Sequence, residues 1–334
     1  MVYIHVKKIG NKKYYSLRIS VRKENRVITK DLCNLGSDIS KINLDNLEKK
    51  YKKEIRKSYK TIKKFLDTNY YIERIKKVKK SLFFTKEQLI NIEAILLHYR
   101  SKFLKLNRLT KKETYNNFLI KFAVNSTAIE GNTITLKEAR KLFEEDVMPK
   151  NRTLREAYDL INTKKVFNFL LNKKPKLDID LIIKIHDMLL DKTDKRKGLR
   201  NHDIHILGQP FKPSPARYVK SDIRLLLEWY NKNKNIIYPL ALAIFFHHKF
   251  ESIHPFSDGN GRTGRVLMNY ILSLHNYPPL VISIRSRKEY LDLLNQADKS
   301  LKKNLLEINK SYYQDLINFI YSQYKLSYWD TFLF

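Results

Sequence analysis

Apolar positions alternate with polar ones over residues 2–8, 13–22 and 26–34, in stretches rich in Val, Ile, Tyr and Thr. The turn-like segments IGNK and RKEN separate them. Period two with such breaks predicts a three-stranded antiparallel meander, closed by LGSD. Asp38 or Ser40 stands where the next element would be capped. From residue 44 the period changes. Leu47, Tyr51, Ile55, Tyr59, Ile62 and Leu66 recur every three or four residues with lysines between them, which predicts one basic amphipathic helix over 44–66. Residues 67–85 are heavily basic and read as a linker or a continuation of that helix. Beyond them the helical period dominates. Helices are expected over 86–106, 110–129, 135–146, 153–172, 179–191, 219–233, 237–250, 262–275, 287–299 and 305–324. Thr135 and Glu138 have the spacing of a capping box at one of these starts. One interval, RNHDIHILGQPFKPSPARY at 200–218, breaks the pattern. There, 203–207 and 211–213 read as two short strands joined at Gly208–Gln209, a hairpin set in a helical domain.

The expected class is therefore mainly α. The expected organisation is a small basic α+β module over 1–80, a helical domain over 86–300 and a C-terminal helical extension over 301–334. At 43% hydrophobic residues the chain can bury a core, and its longest apolar run, Leu240–Phe246, is far short of a membrane span. A single cysteine, Cys33, excludes an internal disulfide and suits a reducing compartment. The first residues, MVYIHVKK, lack the apolar stretch of a secretory signal, so a cytoplasmic location is expected and no membrane partner. The formal net charge is +32. Residues 1–80 hold 24 lysines and arginines against 8 aspartates and glutamates, a net +16, which is half of the total in a quarter of the chain. A field of that sign attracts nucleic acid or other polyanions, so DNA is a candidate partner of residues 1–80. The competing reading is a lysine-rich surface that is only solvated.

The chain holds eight glycines, and three of them, at 259, 261 and 264, fall in the stretch HPFSDGNGRTGR, His254 to Arg265. An apolar helical run precedes it and another follows. Gly259 and Gly261 flank Asn260 where a helix is about to start, a setting in which backbone N–H groups gather on an anion. Arg262 and Arg265 are three apart and suit phosphate oxygens. Asp258 is a hard oxygen ligand suited to Mg2+ alongside substrate phosphates. His254 can accept a proton near neutral pH. The Walker A spacing is absent, and no strand precedes the stretch as a dinucleotide fold would need. A plain polar turn with glycine caps is the competing reading.

The stretch resembles the signature of the Fic family, HPFx(D/E)GNGRxxR, with every specified position filled. Weaker resemblance extends over about 86–300, through Ser126-x-x-x-Glu130-Gly131, the run from Gly198 to Ile206 with an arginine two residues in, and PSPARYV at 213–219. The resemblance implies a helical bundle with a small hairpin flap. It implies transfer of AMP from ATP to a Ser, Thr or Tyr hydroxyl of a protein, with ATP as substrate and Mg2+ as cofactor. By the same resemblance His254 is the base, Asp258 the metal ligand, and Gly259, Asn260 and Gly261 line the anion hole. Arg262 and Arg265 hold the outer phosphates, Phe256 anchors the loop and Pro255 stiffens it. Asp203, Ile204, His205, Ile206 and Leu207 correspond to the flap that pins a target segment. Ser126, Glu130 and Gly131, on a helix expected at about 110–131, correspond to an inhibitory element in which Glu130 reaches Arg265 and displaces the γ-phosphate. Read without the resemblance, Glu130 and Gly131 are an ordinary helix C-terminus. The resemblance also implies a possible homodimer.

Three alternatives stand beside protein adenylylation. Two lie within the resemblance: removal of AMP from a modified protein, and transfer of a different phosphate-containing group. The third is a nucleic-acid-binding regulator working through the basic N-terminus. His247 and His248, adjacent on a helix, read as packing residues rather than as part of a zinc site with His202, His205 and His254.

Overall fold

The computed structural model describes residues 1–10, 12–24, 26–205, 212–301 and 304–333. The described chain divides into two compact units. One comprises Met1–Lys79, Lys86–Phe103 and the C-terminal phenylalanine region from Phe332; the other comprises Lys80–Thr85 and Leu104–Thr331.

The first unit opens with strands β1 (Val2–Ile9), β2 (Lys12–Lys23) and β3 (Arg26–Gly36), an antiparallel sheet in the order β1-β2-β3. Val2 pairs with Ile19, Ile4 with Leu17 and Leu17 with Cys33, so the apolar phase of the alternation falls on one face. Val2, Ile4, Tyr15 and Leu17 are buried there with Ile55, Ile62 and Leu66 from the helices that follow. The other phase places Tyr3, His5, Lys7, Tyr14, Arg18 and Arg22 on the opposite face. Two register shifts interrupt the β2–β3 pairing. At one of them Asp31 Oδ1 accepts a 2.5 Å hydrogen bond from Arg18 Nε.

The single helix expected over 44–66 is three: α1 (Leu44–Lys50), α2 (Lys52–Ile55) and α3 (Tyr59–Arg74). Tyr51 leaves helical geometry at φ −125°, ψ 39°, and its hydroxyl donates to the carbonyl of Leu32 in β3. A tertiary hydrogen bond thus interrupts an otherwise continuous period. The next helix, α4 (Lys86–Ser101), buries Leu89, Ile92, Ile95 and Tyr99 within the first unit. The boundary drawn near residue 80 from the sequence therefore cuts off a helix that packs against α3. Its apolar period is the same as that of the later helices, and nothing local to it says which neighbours it serves.

The second unit is helical: α5 (Arg108–Ile129), α6 (Leu136–Glu144), α7 (Leu154–Lys173), α8 (Ile179–Leu189), α9 (Val219–Asn233), α10 (Pro239–Ile253), α11 (Asn260–Leu274), α12 (Arg287–Asp298) and α13 (Lys310–Thr331). Capping boxes start α6, through Thr135 and Glu138, and α7, through Thr153 and Glu156. The middle of this unit is α10. Every side chain from Leu240 to Phe246 is fully buried, as a helix apolar all round must be. Pro239 occupies its first turn, where the missing N–H costs nothing. The last long helix, α13, buries Tyr313, Leu316, Ile317, Ile320 and Tyr324, so residues 310–331 form part of this core rather than an appendage. Within 200–218, Asp203–His205 and 212–213 carry no strand, and residues 206–211, with the rest of the expected hairpin, lie outside the described residues. Among the described residues no helix is long and apolar enough to cross a membrane.

Candidate active site

The HPFSDGNGRTGR stretch is the turn from α10 into α11. α10 ends on His254, whose amide donates to Phe250 O while its backbone turns left-handed at φ 51°. A non-glycine residue in that region stores strain, and such residues gather at functional sites. Phe256 is fully buried, its ring 3.7 Å from that of His186 and nearly parallel to it. Gly259 closes the turn at φ +76° and caps α11, which begins two residues earlier than the sequence period suggests. Asn260 and Gly261 are therefore the first helical residues. The amides of Asn260, Gly261 and Arg262 have no acceptor within the helix and gather at its positive end.

The side chain of Asn260 is turned back onto the peptide of Phe256. Its Oδ1 accepts from Phe256 N at 2.9 Å and its Nδ2 donates to Phe256 O at 2.8 Å, so one amide clamps both polar groups of the phenylalanine. The sequence expectation placed Asn260 in the anion hole. The structure leaves only its backbone amide for that task.

The two arginines diverge. Arg262, 4% exposed, donates from Nη1 to Asp159 of α7, and its Nη2 lies 3.6 Å from Asp258 Oδ1. Arg265, 2% exposed, donates from Nε to Ser126 Oγ at 2.9 Å and from Nη2 to Ser126 O at 2.7 Å and Glu130 Oε1 at 2.7 Å. Burial works against the charge of Arg265, but Glu130, Tyr290 and Glu251 more than offset it and hold its pKa above the usual range. Glu130 is the C-cap of α5, and Gly131 follows at φ +102°. The plain helix terminus read from the sequence is thus correct, and the same terminus carries the contact to Arg265. Arg287 Nε donates to Ile129 O and holds this turn from α12. Gly261 leaves the space the pair occupies: a Cβ there would stand 2.2 Å from Glu130 Oε1.

His254 Nδ1 lies 3.2 Å from Glu251 O, and only an N–H can bond a carbonyl. That contact assigns the proton to Nδ1 and leaves the Nε2 lone pair available. Desolvation pushes the imidazole down to about 4, opposed by the bond to Glu251, so the ring is neutral at physiological pH. Asp258 accepts from Gly259 N at 2.6 Å through Oδ1 and from Arg155 Nη2 at 2.9 Å through Oδ2.

Arg200 stood in the Gly198–Ile206 run noted in the sequence, without a role, whereas His186 had no signal there. Arg200, buried, donates to His254 O, His202 O and Ser214 O, and its own amide donates to Pro255 O. His186 Nε2 bonds Asp258 O at 3.1 Å, and its Nδ1 lies 2.8 Å from Asp187. Asp203 Oδ1 accepts from Ala216 N, while Ile204 and His205 follow without strand geometry; Ile206 and Leu207 lie outside the described residues. His247 and His248 each bond a tyrosine, Tyr290 and Tyr313, and among the described residues no cluster of His, Cys, Asp and Glu is arranged to hold a metal by itself.

His254, Glu130, Gly261 and Arg265 share a cavity of about 250 Å3 with Leu291, Leu294 and Asn295 of α12. A wider depression of about 600 Å3 beside α8 is open and mixes Lys165, Lys184 and Lys197 with Asp180, Asp187 and Asp191. The smaller cavity is the one where His254, Gly261 in the first turn of α11 and the buried Arg265 converge.

Residues 176–272 match the sequence model of the Fic/DOC family, a span that takes in the whole of this turn. Residues 176–272 thus carry the Fic/DOC pattern. The chain is 31% identical over 193 residues to a protein named protein adenylyltransferase fic-1 of Caenorhabditis elegans, covering 56% of the chain and 37% of that protein. It is 31% identical over 179 residues to protein adenylyltransferase Fic of Nematostella vectensis, covering 52% and 42%. The chain thus spans about two fifths of the length of the curated relatives it matches. The fold is shared with a Fic domain containing signaling protein from Bacteroides thetaiotaomicron, at TM-score 0.63 and 23% identity over 71% of this chain and 93% of that one. It is shared also with a Fic-1 structure from C. elegans, at TM-score 0.62 and 22% identity over 74% and 70%.

Proposed function

We propose that this chain transfers AMP from ATP to a hydroxyl of a protein, and that Glu130 holds it inactive. The observation that supports this most is the neutral His254, with its Nε2 lone pair available, at the edge of a cavity that also contains the first turn of α11 and Arg265. The step balances without a redox partner. The hydroxyl oxygen attacks the α-phosphorus, its proton passes to His254 Nε2, and the bond from the α-phosphorus to pyrophosphate breaks. The amides at the start of α11 stabilise charge on the phosphate oxygens. Leu291, Leu294 and Asn295 offer an apolar slot with one amide, chemistry that suits a purine base.

Asp258 is the candidate ligand of Mg2+. One carboxylate beside a phosphate site fits an ion that arrives with the nucleotide and does not fit a resident metal. When bound, Mg2+ neutralises charge on the phosphates. In the inhibited state Arg265 is committed to the Glu130 carboxylate, and a γ-phosphate would need the same donors. The test is to incubate wild type and Glu130→Gly with ATP labelled at the α-phosphate and Mg2+, and to look for covalent AMP on the protein. No label from either protein would overturn the reading.

A second reading concerns the sheet and adds to the first. Through residue 36 the chain has nine lysines and arginines against two acidic residues. Lys7, Tyr14 and Arg22 are exposed on the face opposite the buried Val2, Ile4, Tyr15 and Leu17. Basic side chains interleaved with tyrosines suit a nucleic-acid backbone, and we read this face as a DNA contact.

A further inference from the structure

We propose that Arg155 occupies the cation-binding oxygen of Asp258 in the nucleotide-free protein, and so sets how much divalent cation the site needs. The proposal rests on the nucleotide-transfer reading above. It concerns a side chain about a hundred residues away from the signature, in a segment to which the sequence assigned no role.

Four charged residues make a crossed pair of bridges between α7 and the turn into α11. Arg155 and Asp159 lie one turn apart on α7; Asp258 and Arg262 lie one turn apart across the start of α11. The order of the signs is reversed between the two elements, so each cation meets an anion: Arg155 with Asp258, and Arg262 with Asp159. Asp159 is half-buried, and desolvation pushes its carboxyl up while Arg262 pulls it down. The Arg262–Asp159 bridge is closed to solvent, with side chains 5% and 13% exposed. The Arg155–Asp258 bridge is open, at 58% and 33%.

That contrast decides which contact can exchange. Three donors face Asp258. Gly259 N–H belongs to the backbone of the turn, and Arg262 is held by Asp159; both stay as the site fills. Arg155 reaches Oδ2 from solvent on a long side chain. A guanidinium on a carboxylate oxygen disfavours a divalent cation there, because the two compete for its lone pairs and the two positive charges repel. Exposed ion pairs are weak, so Arg155 tunes the cation requirement and does not abolish binding.

The experiment measures binding, not turnover. Full-length protein carrying Glu130→Gly is titrated with a fluorescent ATP analogue at a series of Mg2+ concentrations, and Mn2+ binding is followed in parallel by electron paramagnetic resonance. Adding Arg155→Ala should lower the half-saturating Mg2+ about three-fold, the size expected for a mostly exposed pair. Arg155→Lys, which keeps the charge, should stay near the parent. Arg155→Glu, which puts a second carboxylate beside Asp258, should lower the requirement about ten-fold and bring Mn2+ binding into view. A merely structural role for Arg155 would alter the melting temperature of all three variants and leave the cation requirement in place. An unchanged or higher Mg2+ requirement in Arg155→Ala overturns the proposal. If the Glu130→Gly parent binds no ATP at any Mg2+ concentration, the nucleotide reading itself fails and takes this proposal with it.

Discussion

Arg265 Nη2 donates a 2.7 Å hydrogen bond to Glu130 Oε1, joining residues 135 apart in the sequence directly above a glycine that has no room for a side chain. The arginine is buried, while the side chain of the glutamate is 42% exposed. Arg265 also has two further partners in Ser126, so it stays in place when Glu130 leaves.

Glu130→Gly should therefore strengthen ATP binding without disturbing Arg265. Losing a carboxylate that competes for a charge-assisted contact is worth roughly ten-fold in Kd. Calorimetric titration with ATP checks the affinity, and labelling with AMP should rise in the same variant. Equal affinity in the two proteins would show that the pair does not obstruct the phosphates.

His254→Ala should abolish transfer and leave ATP affinity within about two-fold, because the imidazole acts on the hydroxyl and not on the phosphates. The pH profile follows from the same group. Its folded pKa is depressed to about 4, so the base form is complete well above that value. The labelling rate of Glu130→Gly should stay flat as pH falls from neutrality through about 6, and drop only as pH approaches 4. A midpoint near 6.5 would mean that His254 is solvated and is not held by Glu251.

Asn260→Ala removes both bonds to the Phe256 peptide and leaves a buried N–H and C=O without partners. The expected cost is about 1–3 kcal/mol. In a unit of this size that lowers Tm by about 2–4 °C for each kcal/mol. Asn260→Asp keeps the acceptor for Phe256 N–H and should lie between the two. A thermal melt that does not move would mean the turn is held without this clamp, by Arg200 and His186 alone.

The sheet can be tested without truncation. A cut at residue 80 would strip α4 of the helix it packs on, so charge reversal in the intact chain is the better experiment. Lys7→Glu with Arg22→Glu should weaken duplex DNA binding and reduce the slope of log affinity against log salt by about 0.9 for each phosphate no longer neutralised. The same two reversals at Lys76 and Lys77, outside the sheet, serve as the control for net charge. Equal weakening by both pairs would mean the face has no special part in binding.

The sequence by itself determined the elements whose cause is local. Alternation over 2–34 marked the strands, and a 3.6 period marked α5 to α12 to within a few residues, while α13 runs from Lys310 to Thr331 against the expected 305–324. The Thr135–Glu138 capping box was legible because its two bonds lie within one turn. The turn from His254 to Arg265 was legible because a left-handed glycine, a helix start and charged groups are consecutive there. Tertiary structure decided whatever depends on partners far apart in the chain. Tyr51 breaks a predicted helix because its hydroxyl bonds Leu32. α4 packs in the first unit because the apolar surface it covers lies there, although its own period would serve either unit. The amide of Asn260 is turned to Phe256, and Arg262 and Arg265, neighbours on one helical turn, go to carboxylates on α7 and at the end of α5. Arg155 and His186 are isolated charged or polar residues in sequence, and no period or spacing distinguishes them; Arg200 stood in a noted run but with no role attached. Their roles arise only when packing brings a carboxylate or a backbone carbonyl within hydrogen-bond reach of them, and that distance is a property of the folded chain.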